Sequence, residues 1–495
     1  MIDVRDYGCK GNGTADDTAA IRHAFEHSDG LVYFPAGTYK VTSPLVVPRS
    51  THIAGDGIDA TTVTAQGATV EQFPGYRAVF HFNGGGFVPI AGLGADIHRF
   101  DVNVPLQSTD GLQPNDVIAL IDPAPKSYSA FIAWYHAGEF LHVNEIGDKA
   151  MRIVGSVQAD YRKDKVKLFR MDKPTRSTLS RMTIVGPDQA TGNNLCLRFQ
   201  CGRGVSVRDV RLTGAHYALC QFVQCFGAQA ENVEAEQIYP FASRNSLNYG
   251  IAITNCQDVR VVNCRIAAMR HAITIGGMPF GKEGPTPINR HISVANCDLK
   301  GTCDMEALDS HGNAEFYTFE NNRIAGGIDF AGNFGRIINN DIYGRDESQA
   351  GIALYANDLK GTEFEIRGNR IHTKTTESFS SRGAVFLQID KETVAGGPTI
   401  IKDNAIHVTG DVTDTRGIRI LNRSSAAKWI VIIDNNDFHA DTFGHHLVVE
   451  RRPSTSPPLE ALLVRNNTFR NGDVIIKPGD AQQLIFKGNW PLADR

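Results

Sequence analysis

A short pattern of apolar and polar positions repeats through residues 207–490 of this chain. An apolar residue is followed by two variable residues, one fixed position, one variable residue and a second apolar residue. The 11 copies are spaced by 18 to 35 residues. Seven copies have asparagine at the fixed position: Asn322, Asn340, Asn369, Asn404, Asn436, Asn467 and Asn489. The four earlier copies have valine or cysteine there: Val210, Val233, Cys264 and Cys297.

The segments around each copy alternate between apolar and polar residues and are interrupted by glycine, asparagine or aspartate. A period of two predicts short β-strands, whereas an amphipathic helix would show a period of 3.6. One such rung cannot bury its own apolar side chains, so successive rungs must stack to form a continuous core. The pattern therefore predicts an all-β parallel solenoid of about 11 or more rungs, in which asparagines stack at an inward turn.

Two regions depart from this repeat. Near the N-terminus, two aspartates precede four apolar residues that share one helical face: Asp16 and Asp17, then Ala20, Ile21, Ala24 and Phe25. We predict a short helix capped by one of these aspartates. Residues 112–178 contain strand-like segments without the asparagine, which predicts a small inserted β domain. The predicted domains are an N-terminal cap with the first rungs (1–80), the insertion (112–178) and the main β-helix (179–495).

The first 57 residues contain three more specific strings. The first is Asp6-Tyr-Gly-x-x-Gly-x-Gly-x-x-Asp-Asp-Thr-x-Ala-Ile21, the second is Val32-Tyr-Phe-Pro-Ala-Gly-Thr-Tyr39, and the third is Ile53-Ala-Gly-Asp-Gly57. Together with the asparagine repeats, they make the chain resemble the pectate-lyase-like superfamily of right-handed parallel β-helices. The resemblance implies an N-terminal capping helix.

Members of that superfamily include phage tailspike depolymerases, polygalacturonase-like hydrolases, polysaccharide lyases and uronate epimerases. The chain shows no clear carboxylate triplet for calcium, no Asp-Pro-His-Glu motif, and in its central rungs no Asn-Thr-Asp string. The tailspike branch is therefore the favoured one. For this branch the resemblance implies a homotrimer, located on a virion or secreted, that binds a polysaccharide.

Composition and charge exclude other classes. Lys and Arg number 50 and Asp and Glu 54, and the net charge of −4 argues against the basic surface that nucleic-acid-binding proteins need. No segment approaches the roughly 18 apolar residues of a membrane span, and residues 1–6 do not start a signal peptide. The nine cysteines form no Cys-x-x-Cys pair. We therefore expect no nucleic acid, no membrane insertion, no cofactor and no metal.

Alignment of the strand that follows each repeat predicts which side chains enter the core: Ile251, Ile273, Leu308, Ile328, Ile352 and Ile418. The next residue in each strand then faces outward: Ala252, Thr274, Asp309, Asp329, Ala353 and Arg419. Successive side chains of a strand point to opposite faces, so this register stacks Asp309 beside Asp329 on neighbouring rungs.

Two stacked carboxylates are candidates for glycoside hydrolysis. A separation of about 5 Å suits a retaining enzyme and roughly 6.5–9.5 Å an inverting one. Because two adjacent carboxylates do not easily ionise together, one can act as the acid. His311 is on the same face, and Glu306 and Asp304 precede it on a loop. We predict that Asp309, Asp329, His311 and Glu306 are catalytic, although outward aspartates are also common as plain surface residues.

Other polar and aromatic residues near these rungs are predicted to bind substrate: Arg270, His271, Asp304, Tyr355, Arg345 and Glu347. Arg270 suits the carboxylate or sulfate of an acidic sugar, and Tyr355 suits stacking on a sugar ring. The alternative interpretations are a surface salt bridge for Arg270 and a packed core position for His271.

The sequence thus predicts an endo-acting depolymerase of a bacterial capsular or exopolysaccharide, with hydrolysis favoured. The first alternative is a lyase that acts on a uronic acid by β-elimination, with His311 or a tyrosine as base. The second is a glycan-binding fibre protein without catalysis, because a fold of this kind does not by itself fix the chemistry.

Overall fold

The computed structural model describes residues 1–490, except 48–49, 70, 75, 130–131, 188–192, 238–246, 269, 280–283, 302–305, 345–349, 357–362, 375–381, 390–396, 411–415 and 425–428. The chain divides into two compact units. The first contains Met1–Glu231, Ala252–Arg260 and Gly276–Arg290, and the second contains Asn232–Ile251, Val261–Ile275 and His291–Arg495. No helix within the described ranges is both long and apolar enough to cross a membrane.

The N-terminal helix forms as predicted, at Thr18–His27, after a 3-10 helix at Val4–Tyr7. Its buried residues are Thr18, Ile21, Ala24 and Phe25. The two preceding aspartates accept hydrogen bonds from different backbone N–H groups. Asp16 accepts from the N–H of Thr18 at 3.0 Å, whereas Asp17 accepts from Lys10 and Gly11 in the preceding loop. Asp16 therefore satisfies an end of the helix, and Asp17 fixes the loop that leads into it.

Thirty-five strands form parallel ladders. Twelve lie wholly in the first unit: Ile2–Asp3, Asn12–Asp16, Leu31–Phe34, Gly37–Lys40, Leu45–Val47, His52–Gly55, Thr61–Thr64, Ala78–Asn83, Thr178–Val185, Leu195–Gln200, Arg203–Thr213 and Ala218–Val223. Five contribute residues to each unit: Phe226–Glu236, Tyr249–Thr254, Gln257–Val262, Ile273–Gly276 and Asn289–Ala295. The other eighteen lie wholly in the second unit: Arg265–Ala268, Asp298–Gly301, Leu308–Glu320, Arg323–Ala325, Ile328–Ile338, Asp341–Tyr343, Ile352–Ala356, Phe364–Arg367, Arg370–Lys374, Val385–Ile389, Thr399–Lys402, Ala405–Thr409, Arg416–Asn422, Ile430–Asp434, Asp437–Arg451, Leu459–Arg465, Thr468–Ile475 and Ala481–Lys487.

The first unit also contains an antiparallel sheet with its own apolar core. Its six strands are Phe87–Pro89, Asn103–Pro105, Val117–Ile121, Gly138–Ile146, Ala150–Ile153 and Lys167–Met171. The antiparallel pairing begins before residue 112, because Phe87–Pro89 pairs with Lys167–Met171. Two polar contacts join this sheet to parallel strands of the same unit. Gln257 bonds both backbone groups of Phe140 at 3.0 Å, and the buried Arg290 lies 3.0 Å from the buried Glu139.

Each rung of the second unit contributes to three strand columns. The first column contains residues 265–268, 298–301, 323–325, 341–343, 370–374, 405–409, 437–440 and 468–470. The second column contains 273–275, 308–311, 328–331, 352–356, 385–389, 416–422 and 445–451. The third contains 315–320, 335–338, 364–367, 399–402, 430–434, 459–465 and 481–487. Three parallel columns that recur rung after rung make this a parallel β-helix, as the repeats predict.

The asparagine ladder lies at the turn between the third and first columns. The side chain of Asn404 donates from Nδ2 to the carbonyl of Ile366 and to Oδ1 of Asn436, and its Oδ1 accepts from the backbone and side chain of Asn369. The same bonds recur from Asn322 to Asn489, with N···O distances of 2.8–3.1 Å. Each asparagine thus satisfies backbone groups that the corner would otherwise leave buried without a partner.

Cysteines continue the ladder where the asparagines stop. The N–H of Cys297 donates to Oδ1 of Asn322 at 2.9 Å, and the N–H of Cys264 donates to Sγ of Cys297 at 3.4 Å. All eight described cysteines are buried thiols that form no disulfide bond. The thiol at this position therefore acts as a small, weak acceptor in place of an amide.

Candidate functional site

The candidate site lies on the outward face of the second column. Parallel pairing aligns Thr274 with Asp309, and Asp309 with Asp329. The residues before them are fully buried: Ile273, Leu308 and Ile328. The predicted register is therefore confirmed, and the two aspartates occupy neighbouring rungs, whose backbones are about 4.8 Å apart.

Asp309 is enclosed by two histidines and a threonine. Its Oδ2 accepts a hydrogen bond from Oγ1 of Thr274 at 3.1 Å. The same oxygen lies 2.9 Å from Nε2 of His311 and 3.7 Å from Nε2 of His271. Burial alone would raise the pKa of Asp309, but the histidines and the hydrogen bonds hold this pKa well below its usual range. In return, the Asp309 carboxylate raises the pKa of His311, so the two form an ion pair near neutral pH.

Glu306 and Asp329 form a second acidic pair beside Asp309. Burial, together with the Glu306 and Asp309 carboxylates, raises the pKa of Asp329 well above its usual range, and the Glu306 and Asp329 side chains share a hydrogen bond. Burial also raises the pKa of Glu306, while Arg382, 3.8 Å away, opposes that shift. A hydrogen bond between two carboxyl groups requires a proton on one of them, and the pKa shifts favour Asp329 as its holder.

The environments of two carboxyl groups on adjacent rungs thus shift their pKa values in opposite directions. The shifts favour an ionised Asp309 beside His311 and a protonated Asp329. Glycoside hydrolysis needs both an acid and a negatively charged partner, and it obtains them from environments that separate the two pKa values. The geometry is compatible with the predicted catalytic roles of Asp309, Asp329, His311 and Glu306, which remain predictions.

The Asp309–His311 pair gives the stability of the protein a defined pH dependence. The folded-state pKa of His311 is raised, so its stabilising effect is complete below the unfolded-state value of about 6.5 and is lost as the pH rises through the folded-state value. Replacing His311 with glutamine should therefore lower the Tm most at pH 5–6 and progressively less up to pH 9. Thermal melts of both proteins across this range measure the difference.

The control is the same substitution in an Asp309→Asn background. Without the carboxylate at position 309, burial and Arg270 remain and both lower the pKa of His311, so the loss of Tm on His311→Gln should no longer be largest at pH 5–6. An equal loss of Tm at every pH in the parent protein would contradict the ion pair.

Arg270 and His271 differ in their placement. His271 is 1% exposed, its Nδ1 donates to the carbonyl of Glu306 at 2.6 Å, and its ring stacks on Tyr249. Burial lowers the pKa of His271, so the ring is neutral at pH 7 and the charge facing Asp309 is carried by His311. Arg270 lies over the ring of Tyr249 at 5.6 Å and is partly exposed. His271 is therefore a packed residue beside Asp309, and Arg270 is the more accessible of the two.

An arginine-lined cleft continues along the second column beyond Asp329. Its volume is about 380 Å³, and it is lined by Tyr355, Arg382, Phe386, Gln388, Arg416, Arg419, Leu421 and Arg452. Pairing aligns Tyr355 with Ala331, and Arg419 with Phe386. The predicted substrate residue Tyr355 therefore lies in this cleft, one rung from the aspartate at position 329.

Among the described residues that line it, the cleft has more positive than negative charge. Glu450 lies 2.7 Å from Arg419, 3.1 Å from Arg452 and 3.5 Å from Arg416. Burial alone would raise the pKa of Glu450, but the Arg419 hydrogen bond and the three cations hold it below its usual range. One carboxylate therefore faces three guanidinium groups, and an anionic ligand would complete the balance.

This cleft is not predicted from the sequence, because the alignment of core residues passes from Ile352 to Ile418. It omits the strand at Val385, which pairs with both neighbours. Continuing the outward positions through that rung would have grouped Phe386 with Arg419, whereas Arg382 and Arg452 lie just outside the strands. Three other predicted residues, Asp304, Arg345 and Glu347, lie outside the described residues.

Three solved structures with the same fold are tailspikes of bacteriophages. The tailspike gp61 of Pseudomonas phage phi297 is 21% identical with a TM-score of 0.79, covering 95% of this chain and 80% of that one. The tailspike gp49 of Pseudomonas phage LKA1 is 19% identical with a TM-score of 0.75, covering 98% and 84%. The Gp54 tailspike of Acinetobacter baumannii bacteriophage AP22, solved with a capsular saccharide, is 17% identical with a TM-score of 0.72, covering 98% and 76%. The predicted right-handed parallel β-helix is confirmed by this likeness.

Curated relatives match only short segments. A probable glucan endo-1,3-beta-glucosidase of Arthroderma benhamiae is 37% identical over 75 residues, which is 12% of this chain and 8% of that protein. The mannuronan C5-epimerase AlgE2 of Azotobacter vinelandii is 37% identical over 71 residues, again 12% of this chain and 7% of that protein. The chain thus spans less than a tenth of the length of either relative.

Two family models match the chain, one over the N-terminal strings and the other over most of the asparagine repeats. The model for rhamnogalacturonase A/epimerase, pectate lyase-like, matches residues 1–95, which contain the three N-terminal strings. The second match, to residues 213–472, covers more than half of the chain, including most of the asparagine ladder and all the described candidate site residues. The predicted pectate-lyase-like resemblance is confirmed, and the chain belongs to the Gp49, pectin lyase-like family.

Proposed function

We propose that this chain is an endo-acting depolymerase of a bacterial capsular or exopolysaccharide and that it cleaves glycosidic bonds by hydrolysis. The observation that carries the proposal is the pair of stacked carboxyl groups, Asp309 and Asp329, whose environments shift their pKa values in opposite directions. Tailspike-type assembly as a homotrimer, on a virion or outside the cell, belongs to the same proposal and is supported by the shared fold.

In this mechanism Asp329 is the general acid. Its raised pKa keeps a proton available near neutral pH for the oxygen of the leaving sugar. Asp309 is the ionised partner that compensates the positive charge developing on the sugar ring. Since adjacent rungs are about 4.8 Å apart, the arrangement is nearer to the roughly 5 Å of a retaining pair than to the wider inverting separation.

The substrate proposed here is an acidic glycan. The arginine cleft lies one to four rungs beyond Asp329 on the same outward face, and its excess positive charge suits sugar carboxylates or sulfates. Tyr355 offers an aromatic edge to a sugar, and Arg270 lies one rung before Asp309. A chain bound parallel to the helix axis would contact the carboxyl pair and the cleft together.

A lyase is the second candidate, and the Asp309–His311 contact favours it. A half-exposed histidine oriented by a buried carboxylate is a typical catalytic base. However, Asp309 raises the pKa of His311, which favours the protonated ring and weakens it as a base near pH 7. A lyase of this design would work better at alkaline pH, whereas the hydrolase needs the proton on Asp329.

The deciding experiment incubates the protein with a panel of neutral and uronate-containing bacterial polysaccharides and follows reducing ends and ultraviolet absorbance together. We expect new reducing ends without absorbance, because hydrolysis creates no double bond. Reducing ends with absorbance would identify a lyase instead. Saturable binding without new ends on any polymer that binds would favour a glycan-binding fibre protein and overturn both enzymatic proposals.

A further inference from the structure

A column of histidines follows the outward face of the first strand column, away from the carboxyl pair on the second. Pairing aligns His372 with His407 and His407 with His439 on successive rungs. The rings of His407 and His439 are 4.8 Å apart, and both side chains are partly exposed. Neither the proposed hydrolysis nor the arginine cleft uses these residues.

The last two histidines converge on one carboxylate. Oδ1 of Asp441 lies 2.8 Å from Nε2 of His407 and 3.6 Å from Nε2 of His439. One ligand atom from each of the three residues lies within 4.8 Å of the others. In a tetrahedral zinc site with bonds of about 2.0–2.2 Å, ligand atoms are roughly 3.3–3.5 Å apart. Small side-chain rotations are enough to bring these atoms to that spacing.

The backbone that carries Asp441 is fixed by the next rung. Nδ2 of Asn471 donates to the carbonyls of Ala440 and Asp441 at 2.9 and 3.0 Å, and Oγ1 of Thr442 donates to the carbonyl of Gly410 at 3.0 Å. The carboxylate is therefore presented from a rigid corner, as a preorganised ligand requires.

The neighbouring cation does not oppose a metal at this place. Arg470 is aligned with His439 on the next rung, but its guanidinium lies 3.4 Å from the carboxylate of Asp437. That ion pair compensates most of the charge that Arg470 would direct at the cluster.

We propose that His407, His439 and Asp441 bind one divalent transition metal ion of the zinc type, with the remaining coordination positions open to water. Two imidazoles and one carboxylate favour zinc, nickel or copper over calcium or magnesium. The ion would replace the hydrogen bond between His407 and Asp441, and it would link two rungs of the β-helix to the corner that follows them.

The test is zinc titration of the full-length, untagged protein by calorimetry at pH 7.5, with thermal melts in zinc and in chelator. We expect one saturable site per chain and a Tm raised by zinc. His439→Ala and Asp441→Asn should each weaken zinc binding by about 10- to 100-fold or more. His372→Ala is the matched control, since it removes an outward histidine of the same column outside the cluster, and binding should stay within about twofold.

Melts in chelator show whether each variant is folded, and these partly exposed side chains should leave the metal-free Tm nearly unchanged. Zinc binding of equal strength in the parent protein and in a His407→Ala/His439→Ala double variant would overturn the site, as would the absence of saturable binding. Because the measurement does not involve polysaccharide, it is independent of the proposed hydrolysis.

Discussion

Asp329→Asn should lower the kcat of polysaccharide cleavage about 10³-fold. The amide has nearly the same shape, but it has no proton to deliver to the leaving oxygen at neutral pH. Asparagine also removes the partly buried acid whose pKa is raised by desolvation and by the Glu306 and Asp309 carboxylates. The folded protein should therefore be at least as stable as the parent above pH 5, and the loss of activity should come with no loss of Tm.

The matched control is Asp298→Asn, an exposed aspartate in the first column of the same unit. Its activity should stay within about twofold of the parent. Reducing-end release per minute on the preferred polymer, with melts of both variants, gives the comparison. An Asp329→Asn protein with more than about a tenth of the parent kcat would remove Asp329 from the catalytic pair.

Asn404→Ala should destabilise the second unit by about 4 kcal/mol. The asparagine side chain accepts from the N–H and Nδ2 of Asn369 and donates to Ile366 and Asn436. Alanine leaves these buried groups without their partner, and each orphaned group costs about 1–3 kcal/mol. Neighbouring rungs share the loss, because the stability of a solenoid depends on its nearest-neighbour contacts.

Urea denaturation of the full chain, with fluorescence and circular dichroism compared, measures this effect. The control is Asn321→Gly, at an exposed corner position with a φ of 56° that glycine adopts readily. This change should cost no more than about 0.5 kcal/mol. Equal effects of the two substitutions would mean that the ladder contributes little to stability.

The sequence was sufficient for the fold and the register because both depend on local periodicity. Inward isoleucines and leucines alternate with outward residues, so Asp309 and Asp329 could be stacked from the alignment alone. Their protonation states could not be predicted. They depend on the burial of Glu306 and on the histidines beside Asp309, among them His271, whose Nε2 lies 3.7 Å from the Asp309 carboxylate.

The arginine cleft was missed for a different reason. It depends on the strand at Val385, whose sequence differs from the strands on either side. It also depends on Arg382 and Arg452, which lie beyond strand ends, where the alternation of a strand no longer predicts the direction of a side chain. The histidine cluster was missed because Asp441 lies just past the first-column residues 437–440, at a corner of the long strand Asp437–Arg451, and reaches back to His407 across one rung. Residues outside the regular strands need coordinates before they can be placed.

The buried cysteines allow the local opening of individual rungs to be measured by chemical modification. A thiol reacts with an alkylating reagent only as an accessible thiolate, and burial raises the pKa of Cys196 to about 12 while fully enclosing its sulfur. The modification rate of each cysteine in the native protein therefore reflects how often its own rung separates from its neighbours. Cys297, directly beside Asn322 at the N-terminal end of the asparagine ladder, marks how far local opening can spread before it meets the amide hydrogen bonds.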